Sequence, residues 1–216
     1  MDKISIIVPC YNEEEVIDLF YKKVSEIVLS KIKEKYAYEI LFIDDGSKDN
    51  TLSILKKLKQ SDDNIRIISF SRNFGKESAM YAGLENCIGD LVVIMDADLQ
   101  HSPEKILEMI EGINEGFDVV TTVRINRKGE KKIRSAFSRL FYKLMHGSTN
   151  IPMKQGSQDF RMMTRQVVDS ILQLKEYSRF SKGIFSWVGF NVKYIETENQ
   201  PRAAGKSKWN FMGLLN

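Results

Sequence analysis

An α/β domain built on a mainly parallel sheet with helices on both faces is what this sequence predicts, on three observations. Short β-rich apolar runs alternate with segments of helical period through the first part of the chain. An apolar share of 43% over 216 residues is enough for one sizeable core. Each of the first four strand-like runs ends in a polar or acidic cluster. Alternation of this kind means βαβ units, and sheets made from them bind ligands at the carboxyl ends of their strands.

The elements follow in order. Residues 4–8 form the first strand and run into Pro9-Cys10-Tyr11-Asn12-Glu13. Val16, Phe20, Val24 and Ile27 then recur at three- and four-residue spacing, the apolar stripe of a helix. Residues 39–43 are the second strand, closed by Asp44-Asp45-Gly46-Ser47, with Ser47 and Asp49 as capping residues for a helix marked by Leu52, Leu55 and Leu58. A third strand, 65–70, leads through Ser71-Arg72-Asn73-Phe74-Gly75-Lys76 into a helix over 79–87. The fourth, 91–95, ends in Asp96-Ala97-Asp98-Leu99-Gln100, and a fifth spans 119–123. Beyond about residue 124 the alternation lapses into an elaboration. It holds a basic segment, Gly156-Ser157-Gln158-Asp159-Phe160-Arg161, a helix over 165–174, a second through 181–188, a strand over 191–196 and a tail ending near Lys206-Ser207-Lys208-Trp209. No internal repeat or linker divides the chain, so one domain is expected over 1–216.

The fourth cluster carries the most chemistry. On an extended chain Asp96, Asp98 and Gln100 point to one side and Ala97 and Leu99 to the other. Three oxygen donors then converge, a set suited to Mg²⁺ or Mn²⁺, which leave coordination positions open for substrate phosphates. A diphosphate-bearing substrate is expected. Other nucleotide motifs fail: the turn after the first strand has no glycine, and Gly205-Lys206-Ser207 has Gln200 where a phosphate loop needs its first glycine. Two histidines, His101 and His146, and two distant cysteines, Cys10 and Cys87, make neither a zinc spacing nor a nucleophile triad. The cysteines read as reduced packing residues.

Charge is unevenly placed. Residues 124–143 hold eight basic side chains and one acidic one, a net +7 that leaves −4 for the rest of a chain of net +3. Such a run is either a solvated helix face or, with Phe137, Leu140, Phe141, Tyr142 and Leu144 interleaved, an amphipathic helix facing protein or lipid. Arg134 and Ser138 lie four apart and share a helix face, a clamp for one phosphate monoester, with Arg124 approaching from the preceding strand. Nucleic acid would call for a broader basic surface and a reading element, and is not expected. The N-terminus has no leader-like pattern and no apolar run reaches the ~18 residues that span a bilayer, so a cytoplasmic chain that does not cross the membrane is expected.

Taken together, Val8-Pro9-Cys10-Tyr11-Asn12-Glu13-Glu14, Ile43-Asp44-Asp45-Gly46-Ser47, Ser71-Arg72-Asn73-Phe74-Gly75-Lys76-Glu77, Asp96-Ala97-Asp98-Leu99-Gln100-His101 and the later Asp159-Phe160-Arg161 and Gly205-Lys206-Ser207-Lys208-Trp209 resemble family-2 glycosyltransferases of the GT-A fold. The closer likeness is to the polyprenyl-phosphate hexosyltransferases, the group of dolichol-phosphate mannose synthases and bactoprenol glucosyltransferases. It implies an inverting, metal-dependent transfer of a hexose from a nucleotide sugar to a polyprenyl phosphate, such as undecaprenyl phosphate, at the cytoplasmic membrane face. Asp159-Phe160-Arg161 stands where the dolichol enzymes tend to have Gly-Phe-Arg, which favours the bacterial branch and a UDP-sugar.

The resemblance also implies roles. Asp98 and Gln100, helped by Asp96, hold Mg²⁺ or Mn²⁺. Asp45 hydrogen-bonds the base, Pro9 and Tyr11 pack near it, and Glu13, Asp44, Lys76, Asp96 and Ala97 shape the nucleotide-sugar pocket, so that 1–123 is the donor part. Asp159 is the catalytic carboxylate. Arg124, Arg134 and Ser138 take the acceptor phosphate, with a second phosphate contact from Arg202, Ser207 and Lys208, so that 124–216 is the acceptor part; a homo-oligomer is compatible with this. Relatives of this kind continue into membrane-spanning helices, whereas this sequence ends at Asn216, so an excised catalytic domain is expected. Two alternatives stay open: a family-2 enzyme acting on a polysaccharide or other hydroxyl, which requires a competent general base, and a non-catalytic nucleotide-sugar-binding membrane adaptor, against which intact Asp96, Asp98 and Asp159 speak.

Overall fold

A computed structural model of the chain describes residues 1–124, 156–174, 184–185 and 187–197. Seven strands form one sheet in the order β3-β2-β1-β4-β6-β5-β7. They are β1 (Lys3–Cys10), β2 (Ala37–Asp44), β3 (Ile65–Ser69), β4 (Leu91–Ile94), β5 (Val119–Arg124), β6 (Ser157–Thr164) and β7 (Val192–Thr197). The helices are α1 (Ile17–Val24), α2 (Ser30–Ile32), α3 (Thr51–Ser61), α4 (Lys76–Asn86), α5 (Lys105–Asn114) and α6 (Arg165–Leu172), with a π-helical turn, Ser25–Leu29, joining α1 to α2. All neighbouring strands are parallel except β6, which runs antiparallel to both β4 and β5.

The expected strands and the mainly parallel sheet are therefore present, and the first four clusters share one edge. Parallel strands are covered on both faces and read as continuous apolar runs. Accordingly Ile4, Ile6, Val8, Ile40 and Phe42 pack on one side with Ile17, Phe20 and Val24 of α1. Ile7, Leu41 and Ile43 pack on the other with Ala79, Met80 and Leu84 of α4. Cys10 and Cys87 are buried and free, and burial pushes both thiols above the ordinary value, as packing residues require.

Three features depart from the sequence reading. The segment around Asp159, for which the sequence predicts no element, is strand β6, whose polar first half hides its period. Helix α5, with Ile106, Met109 and Ile110 buried, supplies a crossover that the sequence reading left unassigned. At the start of α3, Asp49 does act as a cap, its Oδ1 accepting the Thr51 N–H at 3.0 Å. Ser47 does not; its hydroxyl instead accepts the Asn12 N–H at 2.9 Å.

Gly46 fixes how the sheet edge is closed. Its φ is +66°, and a Cβ there would lie 2.4 to 2.8 Å from backbone atoms of Arg72. Both the left-handed backbone and the contact exclude a side chain. Gly46→Ala is expected to destabilise the fold by at least ~1–2 kcal/mol, lowering the melting temperature by a few degrees at this chain length; an unchanged thermal transition would show that the two loops are not held together there.

Candidate active site

The turn after β1 is laced to the turn after β2. Asn12, at φ +53°, donates its N–H to Ser47 Oγ and accepts the Lys48 N–H on Oδ1 at 2.7 Å, while Glu13 N–H reaches Thr51 Oγ1 at 2.7 Å. Asn tolerates that backbone region better than most residues. Pro9, Tyr11 and Glu13 stand half-buried along this rim.

Two consecutive buried acids close β2, and each finds its partners within the chain. Asp44 accepts the Ser47 N–H at 3.1 Å and the Ser69 hydroxyl at 2.8 Å. Asp45 spends one carboxylate oxygen on the Phe74 N–H at 2.7 Å and the other on the Gly75 N–H at 2.9 Å. Burial pushes the Asp45 carboxyl up, the two amides pull it back and Asp44 adds to the rise, leaving it above the ordinary value. Asp45 thus pins the 71–75 turn, whose Gly75 has φ +95° and leads directly into Lys76 at the start of α4.

Lys76 is the centre of the edge. Its Nζ lies 2.7 and 2.8 Å from the two carboxylate oxygens of Asp96 and 2.8 Å from Asp159 Oδ2. Burial pulls the ammonium down, and the two carboxylates outweigh it, so its pKa stands above the ordinary lysine value. Sheet pairing explains the meeting: β4 ends opposite the middle of β6, with Ile94 facing Arg161, so the chain just beyond β4 and the first half of β6 converge.

Asp159 also sits in a bulge. Between the pairs Thr121–Arg161 and Val123–Ser157, β6 advances four residues while β5 advances two. A bulge leaves backbone groups without ladder partners and re-aims a side chain. Here Arg161 Nη2 donates to Gln158 O at 2.7 Å, Arg161 Nε to Asp159 O at 3.3 Å, and Thr122 Oγ1 to Phe160 O at 3.1 Å. The Arg161 guanidinium is 3% exposed and lies 3.8 Å over the Phe185 ring. Burial lowers its pKa to about 10 despite the nearby Asp159. The sequence reading gave Arg161 no role, although two-residue spacing from Asp159 on a strand was the available signal.

The geometry of the acidic cluster needs correction. Residues 96–100 are a turn, not an extended chain: β4 ends at Ile94, Leu99 has φ +56°, and Asp98 Oδ1 accepts the Gln100 N–H at 3.1 Å. Strand alternation therefore does not apply. Asp96 and Gln100 are half-buried at the edge, while Ala97, Asp98 and Leu99 are buried. Behind them His101 stacks on Phe160 at 5.2 Å, its Nδ1 without a hydrogen-bond partner among the described residues. Burial lowers the imidazole below its ordinary pKa, against the pull of Asp96 and Asp98. No group of three His, Cys, Asp or Glu side chains suited to a metal occurs among the described residues. In donor chemistry alone Asp96, Asp98 and Gln100 suit a hard cation that would draw its remaining ligands from water and a diphosphate, and the cation already seated against Asp96 is an ammonium.

Arg124 closes β5 at the same edge, its N–H bonded to Gly156 O at 3.1 Å. Arg134, Ser138, Arg202, Ser207 and Lys208 lie outside the described residues, as do the amphipathic helix expected near 137–144 and half of the helix expected over 181–188.

With the geometry in place, comparison with known proteins decides the family. The model of glycosyl transferase family 2 matches residues 5–172. The chain belongs to that family. As a family-2 glycosyltransferase it is 42% identical, over 99% of its length, to a bactoprenol glucosyl transferase of Shigella phage SfX, of which it covers 69%. It is 44% identical over 98% of its length to an uncharacterized glycosyltransferase, YkcC, of Bacillus subtilis (strain 168), covering 64% of it. The chain thus spans about two thirds of the length of these curated relatives. A mannosyltransferase from Pyrobaculum calidifontis in complex with GDP-Man and Mn²⁺ superposes with TM-score 0.62 at 18% identity, over 90% of this chain and 55% of that one. Glucosyl-3-phosphoglycerate synthase from Mycobacterium tuberculosis, solved with Mn²⁺ and UDP-glucose, gives 0.57 at 18% identity, over 95% and 73%. Fold and family are thereby those the sequence resemblance implied, a GT-A glycosyltransferase.

In this chain the Asp45 clamp is directly testable. Asp45→Asn places an amide donor against one of two N–H groups and leaves it unsatisfied, at a cost of ~1–3 kcal/mol. Hydrogen exchange at Phe74 and Gly75 is expected to speed up well beyond the change in global stability; unaltered protection at both amides would remove the clamp.

Proposed function

We propose that this glycosyltransferase moves a hexose, with inversion, from a UDP-sugar to a polyprenyl phosphate at the cytoplasmic membrane face. The observation that carries the reading is the meeting of Asp96, Lys76 and Asp159 at one point of the sheet edge. A donor-side carboxylate and an acceptor-side carboxylate stand together there, as transfer between two substrates requires. The 42% identity to a bactoprenol glucosyl transferase over nearly the whole chain supports the choice of acceptor, and so does the +7 charge of residues 124–143.

Asp96, Asp98 and Gln100 would hold Mg²⁺ or Mn²⁺, which when bound stabilises the charge developing on the departing UDP. Pro9, Tyr11, Glu13 and the loop pinned by Asp45 wall the nucleotide pocket beside Asp44, Lys76 and Ala97. A phosphate monoester has a second pKa near ~6, so the acceptor oxygen is already largely an anion at neutral pH. Asp159 then orients that oxygen for attack at the anomeric carbon and takes the remaining proton when there is one. Arg124, Arg134 and Ser138 bind the acceptor phosphate, and Arg202, Ser207 and Lys208 add a second phosphate contact. On this reading residues 1–123 serve the donor and 124–216 the acceptor.

Turnover of labelled UDP-hexoses with undecaprenyl phosphate and Mg²⁺ or Mn²⁺ tests the proposal, and failure of every UDP-hexose to give a lipid-linked product would overturn it. Asp159→Asn is expected to lose most turnover at pH 6, ~10²–10⁴-fold being the usual span of general-base catalysis, to recover part of it at pH 8, and to keep the UDP affinity measured without metal. Arg134→Ala should raise the KM for lipid about tenfold or more, since a charge-assisted contact is worth ~1.5–3 kcal/mol; a parallel fall in UDP affinity would move Arg134 to the donor side.

A further inference from the structure

We infer that Lys76 is the resident cation of this centre: it competes with the divalent metal for Asp96, and Asp159 sets the strength of that competition. The inference rests on the reading of Asp96 as a metal-site carboxylate and adds to it a residue that controls metal occupancy.

A lysine ammonium has three N–H donors and no acceptor. Lys76 directs them at two oxygens of one carboxylate and one of another, at 2.7 to 2.8 Å, the short range of charge-assisted bonds. Seated across both oxygens of Asp96, the ammonium occupies the face of the carboxylate from which a bidentate cation would bind. A divalent ion brought to the same carboxylate meets a like charge a few ångströms away, and the two cannot share it without a large repulsion at a partly buried site. Metal entry therefore requires the ammonium to give up Asp96.

The second carboxylate decides how readily it does so. While Asp159 holds one N–H, the ammonium keeps an anionic partner when it leaves Asp96; without Asp159, all of its interaction falls on Asp96 and the metal has a stronger rival. Lys76 is fixed by position as well as charge, because it opens α4 directly after the Asp45-clamped turn. Occupancy of the metal site and the surroundings of Asp159 are thus linked through one side chain. Linkage of this kind is reciprocal: whatever loosens the Lys76–Asp159 pair also changes metal affinity.

Mn²⁺ binding without nucleotide, measured by calorimetry and by the EPR signal of free Mn²⁺, tests this on the intact chain. Lys76→Met is expected to bind Mn²⁺ at least tenfold more tightly than wild type, with the gain kept at 0.5 M NaCl, where a merely long-range field is screened. Asp159→Asn is expected to weaken Mn²⁺ binding more in the wild-type background than in Lys76→Met, the double-mutant cycle departing from additivity by threefold or more. Wild-type protein gives an independent readout: the ¹⁵Nζ resonance of Lys76 should shift during Mg²⁺ titration in step with metal binding. An affinity in Lys76→Met no tighter than wild type, a gain abolished by salt, an additive cycle or an unmoved Lys76 resonance would each overturn the competition while leaving the metal site standing. Failure of every form to bind Mn²⁺ both without and with UDP would instead overturn the metal reading and the inference with it.

Discussion

Two carboxylates about 63 residues apart in the sequence repel each other at one point unless a cation or a shared proton joins them, and Lys76 is the cation that joins Asp96 and Asp159. Much of the edge serves that junction. Gly46 lets the second loop close onto the backbone of Arg72, Asp45 pins the amides of Phe74 and Gly75, and α4 therefore starts where the ammonium falls between its partners. The sheet supplies the rest by pairing β4 with β6 so that their ends converge.

The acids of β2 illustrate how a site and its scaffold share residues. Asp44 and Asp45 are 1% and 3% exposed, which would be costly if either lacked partners. Between them they accept three backbone amides and one hydroxyl. Carboxylates so engaged hold a loop in shape, and substitution there would alter the sheet edge through the loops they pin.

The first four strands were legible because their signals are local. Apolar runs of four to eight residues mark parallel strands, and the rule that ligands gather at their carboxyl ends placed Asp44, Asp45, Lys76 and Asp96 on one edge before any coordinates. Helix α4 was found three residues late, since Lys76, Glu77 and Ser78 carry no apolar period. The chain beyond β5 was less legible for a physical reason: β6 is antiparallel, begins with polar residues and contains a bulge, and each of these breaks a period on which sequence reading relies. The turn at residues 96–100 misled in the opposite way, its alternating oxygens imitating a strand where the backbone had already left the sheet.

The bulge in β6 has an evolutionary meaning. In a regular ladder a side chain's address is fixed by parity, and exchanging one amino acid for another changes the occupant without changing the address. Here two additional residues are absorbed opposite β5, and their carbonyls are held by Arg161 and Thr122. The place of Asp159 is therefore set by chain length. Insertions and deletions in this short stretch would relocate the carboxylate relative to Lys76, so drift in the geometry of this edge should be sought in gaps at this strand as well as in exchanged residues.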